Sequence, residues 1–205
     1  MKEFSAKNPR EAIFWDQRFE QEFTPWSRIA VPQELINYVA GLKPAQACLI
    51  PGCGDGPEIA YFSQLGWQLE AIDFSAVAVA RAKKALPAWA DFIKEADFFH
   101  YQAPFPFDFI YERAFLCALP ADLRLAVVDA WCRLLPTGGR LMGFFFVQED
   151  VSAPSTKPGP PFTISQAALD ALLSPYFICE QNIAAMDSPD VFQGKERWQV
   201  WRKFI

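Results

Sequence analysis

From residue 47 to the C-terminus, short apolar runs of strand length alternate with stretches of helical length, and that alternation leaves few folds open. Ala47 to Pro51 is a compact apolar run, followed by a helix from about Pro57 to Leu65. Trp67 to Asp73 reads as the second strand, and Ser75 is placed to cap a helix from Ala76 to Leu86. Asp91 to Lys94 and Phe107 to Glu112 read as the third and fourth strands. Pro120 opens an amphipathic helix to Leu135, closed by Thr137-Gly138-Gly139. Arg140 to Val147 is a continuous apolar run, the pattern of a strand covered on both faces. A helix from Ser165 to Leu173 and strands near Phe177 to Ala185 and Arg197 to Phe204 complete the series. Right-handed crossovers turn such a series into an α/β fold with helices on both faces of a doubly wound, mostly parallel sheet. The last two strands, joined by a loop, form an antiparallel pair at its end.

Before the alternation begins, residues 1–31 form an aromatic-rich arm. Trp15, Phe19 and Phe23 recur at helical spacing, and Pro32 opens a short helix to Leu42. A Pro-rich loop, Ala153 to Pro161, interrupts the later alternation and has the length of a site wall. The 205 residues are expected to form a single domain, residues 1–205. With 52% hydrophobic and 21% charged residues, the chain has the balance of a globular protein and not of a disordered one.

Composition narrows the function. The formal charge is −5 and no Lys/Arg run forms a phosphate-tracking stripe, which argues against nucleic acid as a partner. Met1 to Glu11 lacks an apolar targeting segment, and the longest apolar stretches fall far short of the ~20 residues that span a bilayer. A cytoplasmic protein, monomeric and without a membrane partner, is expected. The five cysteines form no CxxC pair and fit free thiols better than a disulfide framework. His100 is the single histidine, so a multi-His metal site and a Ser-His-Asp system are not expected, nor is a metal.

In an open α/β sheet, ligands bind past the carboxyl ends of the strands, where the strand order reverses. The first strand ends in Gly52-Cys53-Gly54-Asp55-Gly56, a loop through which a ligand can approach the backbone; a plain tight turn is the other reading. The second strand ends in Asp73, whose carboxylate can accept from both hydroxyls of a ribose, with Phe74 beside it. After the third strand, Asp97 and Phe98 can take the amine and the ring of an adenine, or simply cap a turn. Where a dinucleotide fingerprint has its third glycine, this chain has Pro57, which disfavours NAD and favours S-adenosylmethionine.

These features, with FWDQRFEQEFTPW at 14–26, LIPGCGDG at 49–56, AIDFS at 71–75, EADFF at 95–99, FDFIYERAFLCALP at 107–120 and PGPPF at 158–162, resemble the thiopurine S-methyltransferase family, including its halide/thiol branch. The resemblance implies a class I methyltransferase with a Rossmann-like sheet, S-adenosylmethionine as cofactor and a small-molecule acceptor. It implies that Trp15, Phe19 and Trp26 enclose the cofactor, where a Trp face suits a sulfonium cation; the family's second Trp is Phe19 here. It assigns Gly52, Gly54, Asp73, Phe74, Asp97, Phe98, Glu112 and Arg113 to the cofactor's surroundings. The Glu112-Arg113 pair matches the thiopurine type, whereas the halide/thiol branch usually has Tyr in place of the Arg. Arg113 is the catalytic candidate, as a fixed cation for an acceptor's anion; an ion pair with Glu112 or Asp108 is its structural alternative. The function implied is methyl transfer to a small soft nucleophile, a thiol first, with halide, thiocyanate or a metalloid as alternatives. From other classes, an NAD-dependent oxidoreductase and a non-catalytic cofactor-binding module stay open.

Overall fold

The computed structural model describes residues 2–27, 30–43, 45–148, 159–192 and 194–205. Its centre is a seven-stranded sheet: β1 (Ala47–Pro51), β2 (Gln68–Asp73), β3 (Ile93–Glu95), β4 (Phe109–Arg113), β5 (Arg140–Phe146), β6 (Phe177–Ala184) and β7 (Glu196–Lys203). The strands lie in the order β3-β2-β1-β4-β5-β7-β6. The first five are parallel, while β7 runs antiparallel between β5 and β6. Every residue of β1 is buried, as are the last six of β5, because helices cover both faces.

The helices are α1 (Ala12–Glu20), α2 (Gln33–Ala40), α3 (Glu58–Gln64), α4 (Ala76–Ala85), α5 (Arg124–Leu134) and α6 (Gln166–Leu173). One apolar core joins α5 and α6 to the sheet around Trp131, Phe107, Phe145 and Trp201. The other, on the opposite face, gathers Leu35, Ile59, Phe62, Tyr111 and Trp198. Ser75 caps α4 by accepting from the Ala78 N–H, at 3.1 Å, as its position before an apolar helix predicted.

Three expectations shift. Helix α1 ends at Glu20, so Phe23 leaves the Trp15/Phe19 face and stands exposed; Glu22 turns the chain there at φ 52°. The third strand is confined to Ile93–Glu95, because residues 87–92 wind into a 3-10 segment opened by Pro87. The helix after Pro120 begins as a 3-10 turn over Ala121–Leu123 before α5 takes over. Most of the Pro-rich loop from Ala153 lies outside the described residues; Gly159, Pro160 and Pro161 lie within them. Among the described residues no helix is long and apolar enough to cross a membrane.

Since β1 is flanked by β2 on one side and β4 on the other, the loops after all three strands meet at one sheet edge. The arm helix α1 is tied to this edge. Asp16 accepts from the Ser75 hydroxyl at 2.6 Å and the Val77 N–H at 3.3 Å, at the start of α4.

Candidate active site

The loop after β1 depends on glycine at two positions. Gly52 and Gly54 sit at φ +58° and +50°, a region that side chains disfavour. A Cβ on Gly52 would also lie 2.7 Å from the Phe115 ring, and one on Gly54 would lie 3.4 Å from that of Phe19. The loop is pinned across the edge: Cys53 N–H donates to Ile72 O, and Gly54 N–H to Asp73 Oδ2, both at 3.0 Å. Asp73 Oδ1 accepts from the Ser75 N–H at 2.9 Å. Burial raises the Asp73 pKa to about 6 against the pull of these backbone donors. Each oxygen keeps a further lone pair for a ligand hydroxyl.

Around this loop lies a cavity of about 1060 Å³. Trp15, Phe19, Trp26, Gly52, Gly54, Asp73, Phe74, Asp97, Phe98 and Arg113 all line it, so the structure brings together the residues singled out from the sequence, save one. The arm supplies its aromatic wall. Trp26 meets Trp15 edge-on at 5.6 Å and Phe19 at 6.2 Å, and the Trp15 indole N–H donates to Pro9 O at 2.9 Å. Arg81 of α4 binds Phe19 O and pairs with Asp55 at 3.2 Å, fastening the arm beside the glycine loop. Asp97 reaches the cavity while also capping its own turn: Oδ1 accepts from the Phe99 N–H, and Oδ2 lies 2.6 Å from His100 Nδ1 on the surface.

The exception is Glu112. It is buried but does not line the cavity; Oε1 accepts from the N–H groups of Phe115 and Leu116 and holds the turn after β4. Burial lifts its pKa to about 8, with Glu196 adding to the rise. Arg113 lines the cavity, yet its partner is neither Glu112 nor Asp108. Its Nη1 donates to Glu58 Oε1 at 2.8 Å, and the Tyr111 hydroxyl donates to the same oxygen at 3.0 Å. Arg113 Nε and Nη2 are buried without a hydrogen-bond partner among the described residues. Cys53 and Cys117 also border the cavity, but burial holds both thiols well above their usual pKa, which fits small inert side chains.

Glu58, Tyr111, Phe115 and Phe192 are among the lining residues that were not singled out from the sequence. Glu58 follows Pro57 at a helix start, where an acid is ordinary, and only its burial marks it. Phe192 comes from the connection between β6 and β7 and packs on Phe146 at 5.2 Å, a long-range contact with no local signal.

The solved structures that share this fold include a Burkholderia thailandensis 1,6-didemethyltoxoflavin-N1-methyltransferase with bound S-adenosylhomocysteine and TehB from Haemophilus influenzae. The first aligns at TM-score 0.77 with 15% identity, over 100% of this chain and 94% of the other. The second aligns at 0.67 with 15% identity, over 92% and 67%. Sheet order and cavity thus define a Rossmann-like methyltransferase fold with its ligand edge beside β1. The family described as Thiopurine S-methyltransferase (TPMT) matches residues 10–203, and the chain belongs to that family. A probable thiol methyltransferase 2 of Arabidopsis thaliana is 29% identical over 92% of this chain and 84% of its own. A thiopurine S-methyltransferase of Shewanella denitrificans is 29% identical over 92% and 91%.

The protein is accordingly an S-adenosylmethionine-dependent methyltransferase, and the nicotinamide reading falls away. The residues present fit that cofactor. A buried carboxylate with spare lone pairs stands at the end of β2, side-chain-free backbone lies at Gly52 and Gly54, and aromatic faces line the rest.

Proposed function

We propose that this enzyme methylates a small soft nucleophile, a thiol first, at the Arg113 end of the cavity. When bound, S-adenosylmethionine supplies a methyl group already activated on a sulfonium, so the protein's part is mainly in-line positioning. Asp73 takes the ribose hydroxyls, the Gly52–Gly54 backbone admits the amino-acid part, and Phe74, Asp97 and Phe98 border the adenine. Trp15, Phe19 and Trp26 offer π faces to the cation and keep water out. Glu112 supports the site through the turn it holds rather than by contact. At Arg113, N–H donors meet the acceptor sulfur as its proton leaves to solvent. A sulfur–carbon bond then forms as the methyl–sulfonium bond breaks, giving a thioether and S-adenosylhomocysteine.

The observation that carries this reading is Arg113: a buried cation with unpartnered donors, paired to Glu58 beside Tyr111, in a cavity also lined by Phe115, Cys117, Pro160, Pro161 and Phe192. Such a pocket suits a small, largely apolar molecule that develops one anionic atom. From the length, charge and patterning of the sequence we further propose that residues 1–205 form a single domain, with residues 1–31 as an arm over the cofactor site, monomeric and cytoplasmic, with neither nucleic acid nor membrane as partner.

Arg113→Met tests the assignment. Turnover of small thiols is expected to fall by about a hundredfold or more, the scale of one lost charge-stabilising donor, while S-adenosylmethionine affinity measured by calorimetry does not weaken by more than about fivefold. Undiminished turnover would remove Arg113 from the chemistry. Cofactor binding without turnover on any thiol, halide or thiocyanate by the unaltered protein would leave a cofactor-binding module.

A further inference from the structure

Glu58 is the acid that the acceptor end did not need and nevertheless contains. Its carboxylate is 5% exposed, against 10% for the Arg113 side chain it binds. One oxygen serves both Arg113 and Tyr111. The other packs against the glycine loop, 2.8 Å from where a Cβ on Gly56 would lie. The guanidinium carbon lies 5.6 Å from the Phe144 ring centre, and the 2.8 Å bond to Glu58 sets its position. Arg113 therefore borders the cavity with its charge already matched.

The consequence concerns which acceptors bind. A lone buried cation attracts any small anion in the ground state, and attraction shared equally by ground and transition states adds nothing to the chemical step. A matched cation still donates hydrogen bonds locally, to a sulfur as it becomes anionic. We propose that Glu58 is a specificity-determining positioning residue: by fixing Arg113 and cancelling its charge, it makes the cavity favour acceptors that enter as neutral thiols over permanent anions. This rests on the acceptor assignment above. The other ionisable groups coupled to Arg113 are Tyr111 and, from the far side of the strand, Glu112 on β4, and Glu196 on β7.

The test is calorimetric titration of thiocyanate and iodide into protein saturated with S-adenosylhomocysteine. It needs no turnover, so it stands apart from the thiol assay that tests the acceptor assignment. In Glu58→Gln, an amide oxygen can still accept from Arg113 but the charge is gone, and both anions are expected to bind about tenfold tighter or more. Glu58→Asp, which keeps the charge but shortens the reach, should bind them as weakly as the unaltered protein. The double variant Glu58→Gln/Arg113→Met should lose the gain. Equal anion affinity in the unaltered protein and Glu58→Gln, or the same gain in Glu58→Asp, would overturn the proposal. If Glu58→Gln does not fold, Arg113→Met reports the same charge from the other side. It should raise the affinity ratio of S-adenosylmethionine over S-adenosylhomocysteine by about tenfold, because an unmatched Glu58 favours the sulfonium. An unchanged ratio overturns it equally.

Discussion

Two acids within reach of the same sheet edge carry opposite duties because of what each touches. Asp73 is a cavity-lining carboxylate with a pKa raised by burial to about 6, and only its ionised form accepts from two hydroxyls at once. Cofactor affinity is therefore expected to weaken as pH falls through about 6. Asp73→Asn should bind at least about tenfold more weakly at neutral pH and lose this dependence, as calorimetry across pH would show. Glu112 faces protein, with its pKa lifted to about 8 from the usual carboxyl value. A raised folded-state pKa means that its contribution is complete in acid and is lost as pH rises through about 8. Glu112→Gln should be about as stable as the parent near about pH 5 and more stable near about pH 9, by up to about 5 kcal/mol, as denaturation at the two pH values would show. Of the two, only Asp73 could be assigned from the sequence. A strand-end acid after a glycine loop has one common use, whereas nothing in Glu112-Arg113 tells which side chain points outward. Alternation along β4 settles it: Tyr111 and Arg113 share the cavity side and Glu112 the other.

Among the elements, α1 has the most to do with function and the least to do with the sheet. Its attachment runs through Asp16 to the first turn of α4 and through Arg81 to Phe19 O, not through a ladder of backbone bonds. Asp16→Ala removes a cap interaction and is expected to cost about 1 kcal/mol of stability. Cofactor affinity should fall by more than that figure implies, because the aromatic wall loses its register. Thermal melting with and without S-adenosylmethionine separates the two effects. The elements of the sheet were legible because period-2 and period-3.6 patterns are local. Ser75 announced its helix and caps it, while Ser165, read as the first residue of a helix, stands just before it as the cap. The arm was less so: spacing alone carried Phe23 onto the helix face, while the chain turned at Glu22, two residues after the helix ends.

At the scale of the whole molecule, one sheet edge collects a glycine loop, the Asp73 carboxylate, an aromatic wall and the Glu58–Arg113 pair into a cavity of about 1060 Å³. Their gathering was legible as topology, since ligands lie past the strand ends where order reverses. The Glu58–Arg113 pair was not, because it joins the start of α3 to the end of β4 and depends on side-chain placement alone. The most direct measurement is a single turnover with S-adenosylmethionine carrying an isotopically labelled methyl group and a small uncharged thiol. The label is expected in the thioether, with S-adenosylhomocysteine formed in equal amount and almost none transferred by Arg113→Met. Label that stays on the bound cofactor, whatever thiol or small anion is offered, would contradict the account.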